Sequence, residues 1–195
     1  MPVEWAGFTA FVLAGGMSRR MGSDKAFVQL RGQTLLQRIL ETARVVTPQV
    51  MIVGEKSKFT AYGTVVEDVF QKRGPLGGIH SALAATATDL NLILAVDLPF
   101  LEPRFLTYLY QQARESNAMV TLPRAAGGWQ PLCAVYQKAF GRLAERALKS
   151  GDNKIDSLFA DVPVALIAEQ EIARAGFSPS MFRNINTLEE LKAAR

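Results

Sequence analysis

The residues best suited to chemistry lie in the stretch Leu13-Ala14-Gly15-Gly16-Met17-Ser18-Arg19-Arg20-Met21-Gly22-Ser23-Asp24-Lys25. Gly15 and Gly16 let the backbone turn sharply and let its N–H groups approach an anion with no Cβ in the way. Arg20 offers a planar fork for phosphate oxygens, and Lys25 a mobile point charge. Glycines, two arginines and a lysine directly after an apolar run point to a phosphate-binding loop. The bland alternative is a strand-to-helix turn with solvated cations. Neither common nucleotide fingerprint is present: the loop has no G-x-G-x-x-G, and the Walker pattern fails because Gly22 is followed by Ser23-Asp24-Lys25. A dehydrogenase and a P-loop kinase are both disfavoured.

Two acids stand at the ends of apolar runs. Asp97 closes Leu92 to Val96, where a carboxylate opens onto a crevice and suits Mg²⁺, a cation that takes oxygen ligands and keeps substrate phosphates in its shell. Its alternatives are a helix N-cap and a salt-bridged acid. Asp68 follows the short run Val65-Val66, and the residues alone leave a nucleotide contact and loop capping equally open. Gly74-Pro75-Leu76-Gly77-Gly78 reads as a wall of backbone amides beside a base, as a rigid turn into a helix, or as both. His80 is the only histidine and Cys133 the only cysteine, too few parts for zinc chemistry or a hydrolytic triad. Trp129, after Gly127-Gly128 in an expected loop, admits two readings: a stacking surface for a flat acceptor, and a partly exposed interface residue.

These groups need a scaffold, and the apolar pattern supplies one. Strands are expected at Phe8 to Leu13, Val50 to Val53, Val65-Val66, Leu92 to Val96, Met119 to Leu122, Leu132 to Tyr136 and Val162 to Ile167. Helices are expected around Leu35 to Ala43, Ile79 to Ala87, Arg104 to Glu115, Phe140 to Lys149 and, capped by Asn186-Thr187, Leu188 to Ala194. Strands alternating with helices imply an α/β fold: three layers, Rossmann-like, a mostly parallel central sheet with helices on both faces. In such a sheet ligands bind at the carboxyl ends of strands, where the unusual residues fall. With no repeat and no low-complexity linker, residues 1–195 read as a single domain.

The chain has 195 residues, 49% hydrophobic and 21% charged, enough to bury a core without disulfide staples. One cysteine fits a reducing compartment, and Met1 to Gly7 has no basic leader, so a cytoplasmic setting is expected, with no membrane partner. The net charge of +4 is concentrated at Arg19, Arg20, Lys25 and Arg31 and at Lys72-Arg73, without the long basic run or aromatic-interleaved stripe of a nucleic-acid binder. Convergence on a phosphorylated small molecule is the better reading.

The loop from Leu13 to Lys25 resembles the signature of the nucleotidyltransferases of the glycosyltransferase-A-like superfamily. Its double glycine and its Gly22-Ser23-Asp24-Lys25 ending resemble one branch, the molybdenum cofactor guanylyltransferases. The resemblance runs through nearly the whole chain. Glu67-Asp68 with Gly74 to Gly78, Val96-Asp97-Leu98-Pro99-Phe100, Gln130 to Tyr136 and Asn184-Ile185-Asn186-Thr187-Leu188-Glu189-Glu190-Leu191 are each similar to a block of that family. At Leu188 proline is usual, which would only pre-set the first helical turn. At Val53 or Gly54 some relatives carry a base-contacting asparagine, so here the base must be read by backbone or by other groups.

The resemblance implies a nucleotide-diphospho-sugar-transferase-like fold and transfer of GMP from GTP to the phosphate of molybdopterin, with Mg²⁺ as cofactor. It implies nucleotide contacts from Leu13, Ala14, Gly15, Gly16, Lys25, Asp68, Pro75, Leu76, Gly77 and Asp97, with Arg20, Lys25 and Asp97 serving catalysis and Asp97 the metal. Gln130, Asn184 and Asn186 are expected to meet the acceptor. Molybdenum-insertion and molybdoenzyme-maturation proteins are the expected protein partners. The rivals are a sister cytidylyltransferase or sugar-phosphate nucleotidyltransferase, and a nucleotide-binding regulatory module without turnover.

Overall fold

Phe8–Leu13 is buried at every position, which a strand tolerates only inside a sheet covered on both faces. The computed structural model describes residues 8–15, 24–125, 127–185 and 190; the expected helix from Leu188 to Ala194 lies outside them but for Glu190. This first strand is β1. β2 (Gln29–Leu30) and β3 (Gln33–Thr34) form a small antiparallel hairpin. Its Arg31-Gly32 turn has φ of 50° and 81°, the left-handed pair that a two-residue hairpin requires. Thr34 then starts α1 (Leu35–Val46) with a reciprocal cap: its hydroxyl accepts from the Gln37 N–H at 3.2 Å, and the Gln37 side chain accepts from the Thr34 N–H at 3.0 Å. There follow β4 (Val50–Val53), α2 (Lys56–Phe59), β5 (Thr64–Val66), α3 (Gly74–Ala85), β6 (Leu90–Ala95), α4 (Pro103–Glu115), β7 (Val120–Ala125), β8 (Gly128–Trp129), β9 (Cys133–Gln137), α5 (Phe140–Ser150), α6 (Ile155–Leu158), β10 (Val164–Ile167) and α7 (Glu169–Arg174).

The main sheet has the order β10-β7-β9-β6-β1-β4-β5, with β8 paired to β7. β1 is parallel to β4 and β6, β4 to β5, and β7 to β10, while β9 runs antiparallel between β6 and β7. This is the mostly parallel α/β sheet expected. Alternate residues of β1 feed opposite cores. Phe8, Ala10 and Val12 pack with α1, α4 and Ile172 of α7; Phe11 and Leu13 pack with α3, α5 and Ile155 of α6. The chain runs outward from β1 through β4 to β5, then returns to the other side of β1 for β6. That reversal opens a crevice beyond the carboxyl ends of β1 and β6, where α/β proteins take their ligands.

Two expectations are corrected. The helix read from Ile79 to Ala87 begins five residues earlier, at Gly74, with Pro75 in its first turn. Pro needs no N–H there and its φ suits the position, so the Gly-Pro pair opens a helix where a loop was expected. Trp129 lies in the short strand β8, not in a loop.

Candidate active site

Everything at the crevice depends on β1 ending where β6 ends. Ala14 and Gly15 continue from β1 by donating to the Val53 carbonyl of β4 at 3.0 and 3.3 Å. Residues 16–23, Gly16 and Arg20 among them, lie outside the described residues. At Asp24 the carboxylate accepts from the Ala26 N–H at 3.2 Å and so caps one 3₁₀ turn, Lys25–Phe27, anchored by the fully buried Ala26. The turn delivers Lys25 to the crevice. Its ammonium donates to Asp97 Oδ2 at 2.5 Å, with both side chains largely shielded, 14% and 18% exposed. Asp97 is held from two sides, by the Val96 N–H donating to the Leu13 carbonyl at 3.3 Å and by its own carbonyl accepting from the Ile185 N–H at 3.2 Å. α4 starts only at Pro103, with Glu102 at its N-cap, so Asp97 caps no helix. It is a salt-bridged acid, and its partner is the lysine of the glycine loop.

Asp68 closes the other side. A Cβ on Gly15 would stand 3.7 Å from Asp68 Oδ2 and 3.9 Å from the Gly54 Cα, so the three residues share one small space. Asp68 Oδ1 is buried with no hydrogen-bond partner among the described residues. Burial raises its pKa, partly opposed by the Ser81 hydroxyl. A buried acceptor left unsatisfied beside a glycine turn is suited to N–H donors brought by a ligand. A Cβ on Gly54 would approach the Phe59 ring to 2.8 Å, so position 54 has no room for the asparagine found in some relatives. Sequence reading missed this filling of the floor by Phe59, because the close approach exists only after α2 folds back beside β5 and sets Phe59 against Gly54.

The first turn of α3 completes this half. Arg73 makes no side-chain cap, leaving the turn's N–H groups for another acceptor. Leu76 is buried; Gly77 and Gly78 are glycine by contact, since a Cβ would lie 2.9 Å from the Phe70 carbonyl oxygen and 3.3 Å from the Leu13 side chain respectively. Ser81 ties the preceding loop to the helix, accepting from the Val69 N–H at 2.9 Å and donating to the Gly77 carbonyl at 3.0 Å. His80 is a core residue: it is buried edge-on against Phe70, ring centroids 5.0 Å apart, and burial lowers its pKa.

Of the residues expected to meet the acceptor, Gln130 follows β8 on the far side of β6. Gln130 uses its side-chain amide to donate to the Ala125 carbonyl at 2.9 Å, closing the β7–β8 hairpin. Asn184 is exposed, one residue before the Ile185 N–H that holds Asp97. Asn186 lies outside the described residues. Arg183, which sequence reading passed over, stacks its guanidinium 4.7 Å from the Phe100 ring centroid and so lies beside the Asp97–Phe100 segment. Its only sequence signal was adjacency to Asn184.

The described residues contain no cluster of three or more metal-ligating side chains. At the crevice, Asp97 is a carboxylate that could hold a divalent cation together with substrate phosphates, the usual manner of Mg²⁺.

A crevice at the switch point of a doubly wound sheet, where Lys25 from its 3₁₀ turn pairs with Asp97 after β6, defines an α/β protein with its ligand site at the strand ends. The comparisons with known proteins narrow the class. The family model described as the MobA-like NTP transferase domain matches residues 10–169. A protein of Pelotomaculum thermopropionicum named "Probable molybdenum cofactor guanylyltransferase" is 33% identical over 189 residues, 96% of this chain and 91% of that one. The "Molybdenum cofactor guanylyltransferase" of Desulfosudis oleivorans is also 33% identical, with 95% and 93% covered. The crystal structure of molybdopterin-guanine dinucleotide biosynthesis protein A from Archaeoglobus fulgidus superposes with a TM-score of 0.84 at 27% identity, covering 95% of this chain and 96% of that one. The chain belongs to the MobA-like NTP transferase family, on the branch of the molybdenum cofactor guanylyltransferases. Among the described residues no helix is long and apolar enough to cross a membrane.

Proposed function

We propose that this chain, acting as one domain, transfers GMP from GTP to the phosphate of molybdopterin and releases pyrophosphate. The observation that carries this reading is the Lys25–Asp97 pair at the carboxyl ends of β1 and β6. An acceptor phosphate is already anionic at neutral pH and needs no general base. It attacks the α-phosphorus in line with the leaving pyrophosphate, so the protein must align two anions and offset growing charge. Asp97 would hold Mg²⁺, which when bound neutralises charge on the phosphates. Lys25 would exchange Asp97 for phosphate oxygens, and the Gly15-Gly16 backbone, with Arg20, would cradle the triphosphate.

Asp68 explains the base. Guanine presents two adjacent donors, N1–H and the N2 amino group, which match the two oxygens of a carboxylate; cytosine and adenine set an acceptor beside a donor. The unsatisfied Asp68 Oδ1 supports this assignment, with the α3 start at Pro75, Leu76 and Gly77 forming the neighbouring wall. We assign the reaction to the cytoplasm, with molybdenum-insertion and molybdoenzyme-maturation proteins downstream. Retention of both Lys25 and Asp97 favours turnover over a purely regulatory module. The test is thermal stabilisation by each nucleoside triphosphate with Mg²⁺, since a ligand bound only to the folded state raises Tm. GTP is expected to give the largest shift; a larger shift with CTP would replace this reading by the sister cytidylyltransferase.

A further inference from the structure

The sheet divides at β6. The proposed base side is β1, β4 and β5; on the other side stand β9, β7 and β8, where the sequence left Trp129 open between a stacking surface and an interface residue. We propose that Trp129 and Arg124, paired across the β7–β8 hairpin, form the surface on which the flat heteroaromatic ring of the acceptor stacks. This rests on the reading that group transfer occurs at Asp97, and it adds the place where the acceptor's ring is held.

The hairpin is at the right end of the sheet. β7 and β6 both run antiparallel to β9, so the carboxyl end of β7, with Arg124 and Ala125, lies at the end where β6 leads into Asp97. The strip from Trp129 to Leu132 joins the two: the Leu132 carbonyl accepts from the Ala95 N–H at 2.8 Å, two residues before Asp97. The strip is also fixed. The Gln130 N–H donates to the Pro123 carbonyl at 2.9 Å, the Cys133 N–H to the Gln130 carbonyl at 3.0 Å, and the Tyr136 hydroxyl to the Pro131 carbonyl at 2.9 Å.

Trp129 is 39% exposed, yet it is not loose. Its ring is backed by the buried Phe159, centroids 5.3 Å apart, and Phe159 in turn approaches Phe140 at 6.4 Å. The indole is thus braced by a tilted contact, 45° between the planes, while part of its surface stays open. A rigid, supported aromatic ring is a stacking platform for any planar base or fused heterocycle. Arg124 stands directly opposite Trp129 in the β7–β8 register and is exposed. Its guanidinium can stack on the same ring system or fork onto its oxygen and nitrogen acceptors. The acceptor would thus lie with its phosphate toward Asp97 and its ring on the hairpin, opposite the guanine at Asp68.

The chain has two tryptophans, so Trp5→Phe leaves Trp129 as the sole indole fluorophore. Titrating Trp5→Phe with a phosphorylated pterin should quench Trp129 saturably, and no quenching would overturn the proposal. In turnover with GTP and molybdopterin, Trp129→Ala should raise the acceptor KM about tenfold, the scale of one lost stacking contact. kcat and the stabilisation by GTP should hold, and Trp129→Phe should restore most of the affinity. An unchanged KM in Trp129→Ala would overturn it equally. If the wild-type chain does not turn over GTP with molybdopterin, the functional reading fails while the quenching titration still decides the subsite. If Trp129→Ala does not fold, the same titration decides alone.

Discussion

At the scale of single residues, Asp97 and Asp68 hold the same carboxylate in different surroundings, which suit them to different proposed roles. Asp97 is matched by a cation 2.5 Å away, whereas Asp68 has a buried oxygen with no partner among the described residues. Asp97→Asn keeps size and most hydrogen bonding but removes the charge that would hold the metal, so pyrophosphate release should fall about a hundred-fold or more, with the loss persisting across Mg²⁺ concentrations. It also removes the Lys25–Asp97 ion pair, at a cost of about 1–2 kcal/mol, below that of a fully buried pair, which thermal melting would show as a drop of a few degrees. Near-normal release at low Mg²⁺ would contradict the assignment. Asp68 gives the opposite sign. Its raised pKa means that the folded state holds this proton more tightly than the unfolded chain does. The associated stability is present in acid and is lost as pH rises through the folded-state pKa. Asp68→Asn should therefore raise Tm at neutral pH, with the gain shrinking toward acid, while the stabilisation by GTP declines. Both acids were legible as strand-end carboxylates. A salt-bridged acid was one of the readings of Asp97, but its partner was not legible, because 72 positions separate the acid from Lys25, which reaches the crevice from its own 3₁₀ turn.

At the scale of elements, the start of α3 couples fold to site. Gly77 lies so close to the Phe70 carbonyl that a Cβ would stand 2.9 Å from that oxygen. Backbone must move to admit it, either the helix start or the loop that carries Asp68. Gly77→Ala should cost about 1–3 kcal/mol of stability, as overpacking commonly does, and should weaken GTP binding. Melting with and without GTP measures both losses, and an unchanged GTP shift would show that the loop tolerates the movement. The longer elements were readable from their apolar periodicity: Leu35, Leu36, Ile39, Leu40 and Ala43 are all buried on α1. What escaped were the short ones. α2, α6, α7 and the hairpins carry too few residues for a period to show, and β8 exists only because Gln130 and the β7 register close its turn. The helix start at Gly74 escaped for another reason: three glycines in five residues read as a loop until packing on Leu13 and Phe70 makes glycine the residue that fits.

At the scale of the whole molecule, the order of the sheet decides where the proposed substrates would lie. One reversal of direction at β1 opens the crevice, with the groups proposed to read the base on the β4–β5 side and the β7–β8–β9 unit on the other. The alternation of strands and helices was enough to expect this class of fold, but the antiparallel insertion of β9 between β6 and β7 was not readable. Neither strand's sequence carries a mark of direction, and pairing partners are chosen in three dimensions. The central claim is that this arrangement joins GMP to a phosphorylated acceptor, and one measurement tests it most directly. Pyrophosphate release is followed with molybdopterin, Mg²⁺ and either GTP or CTP. Release with GTP, dependent on the acceptor and matched by formation of the guanine dinucleotide, is the predicted result. Acceptor-dependent release with CTP in preference to GTP, or none with either, would contradict it.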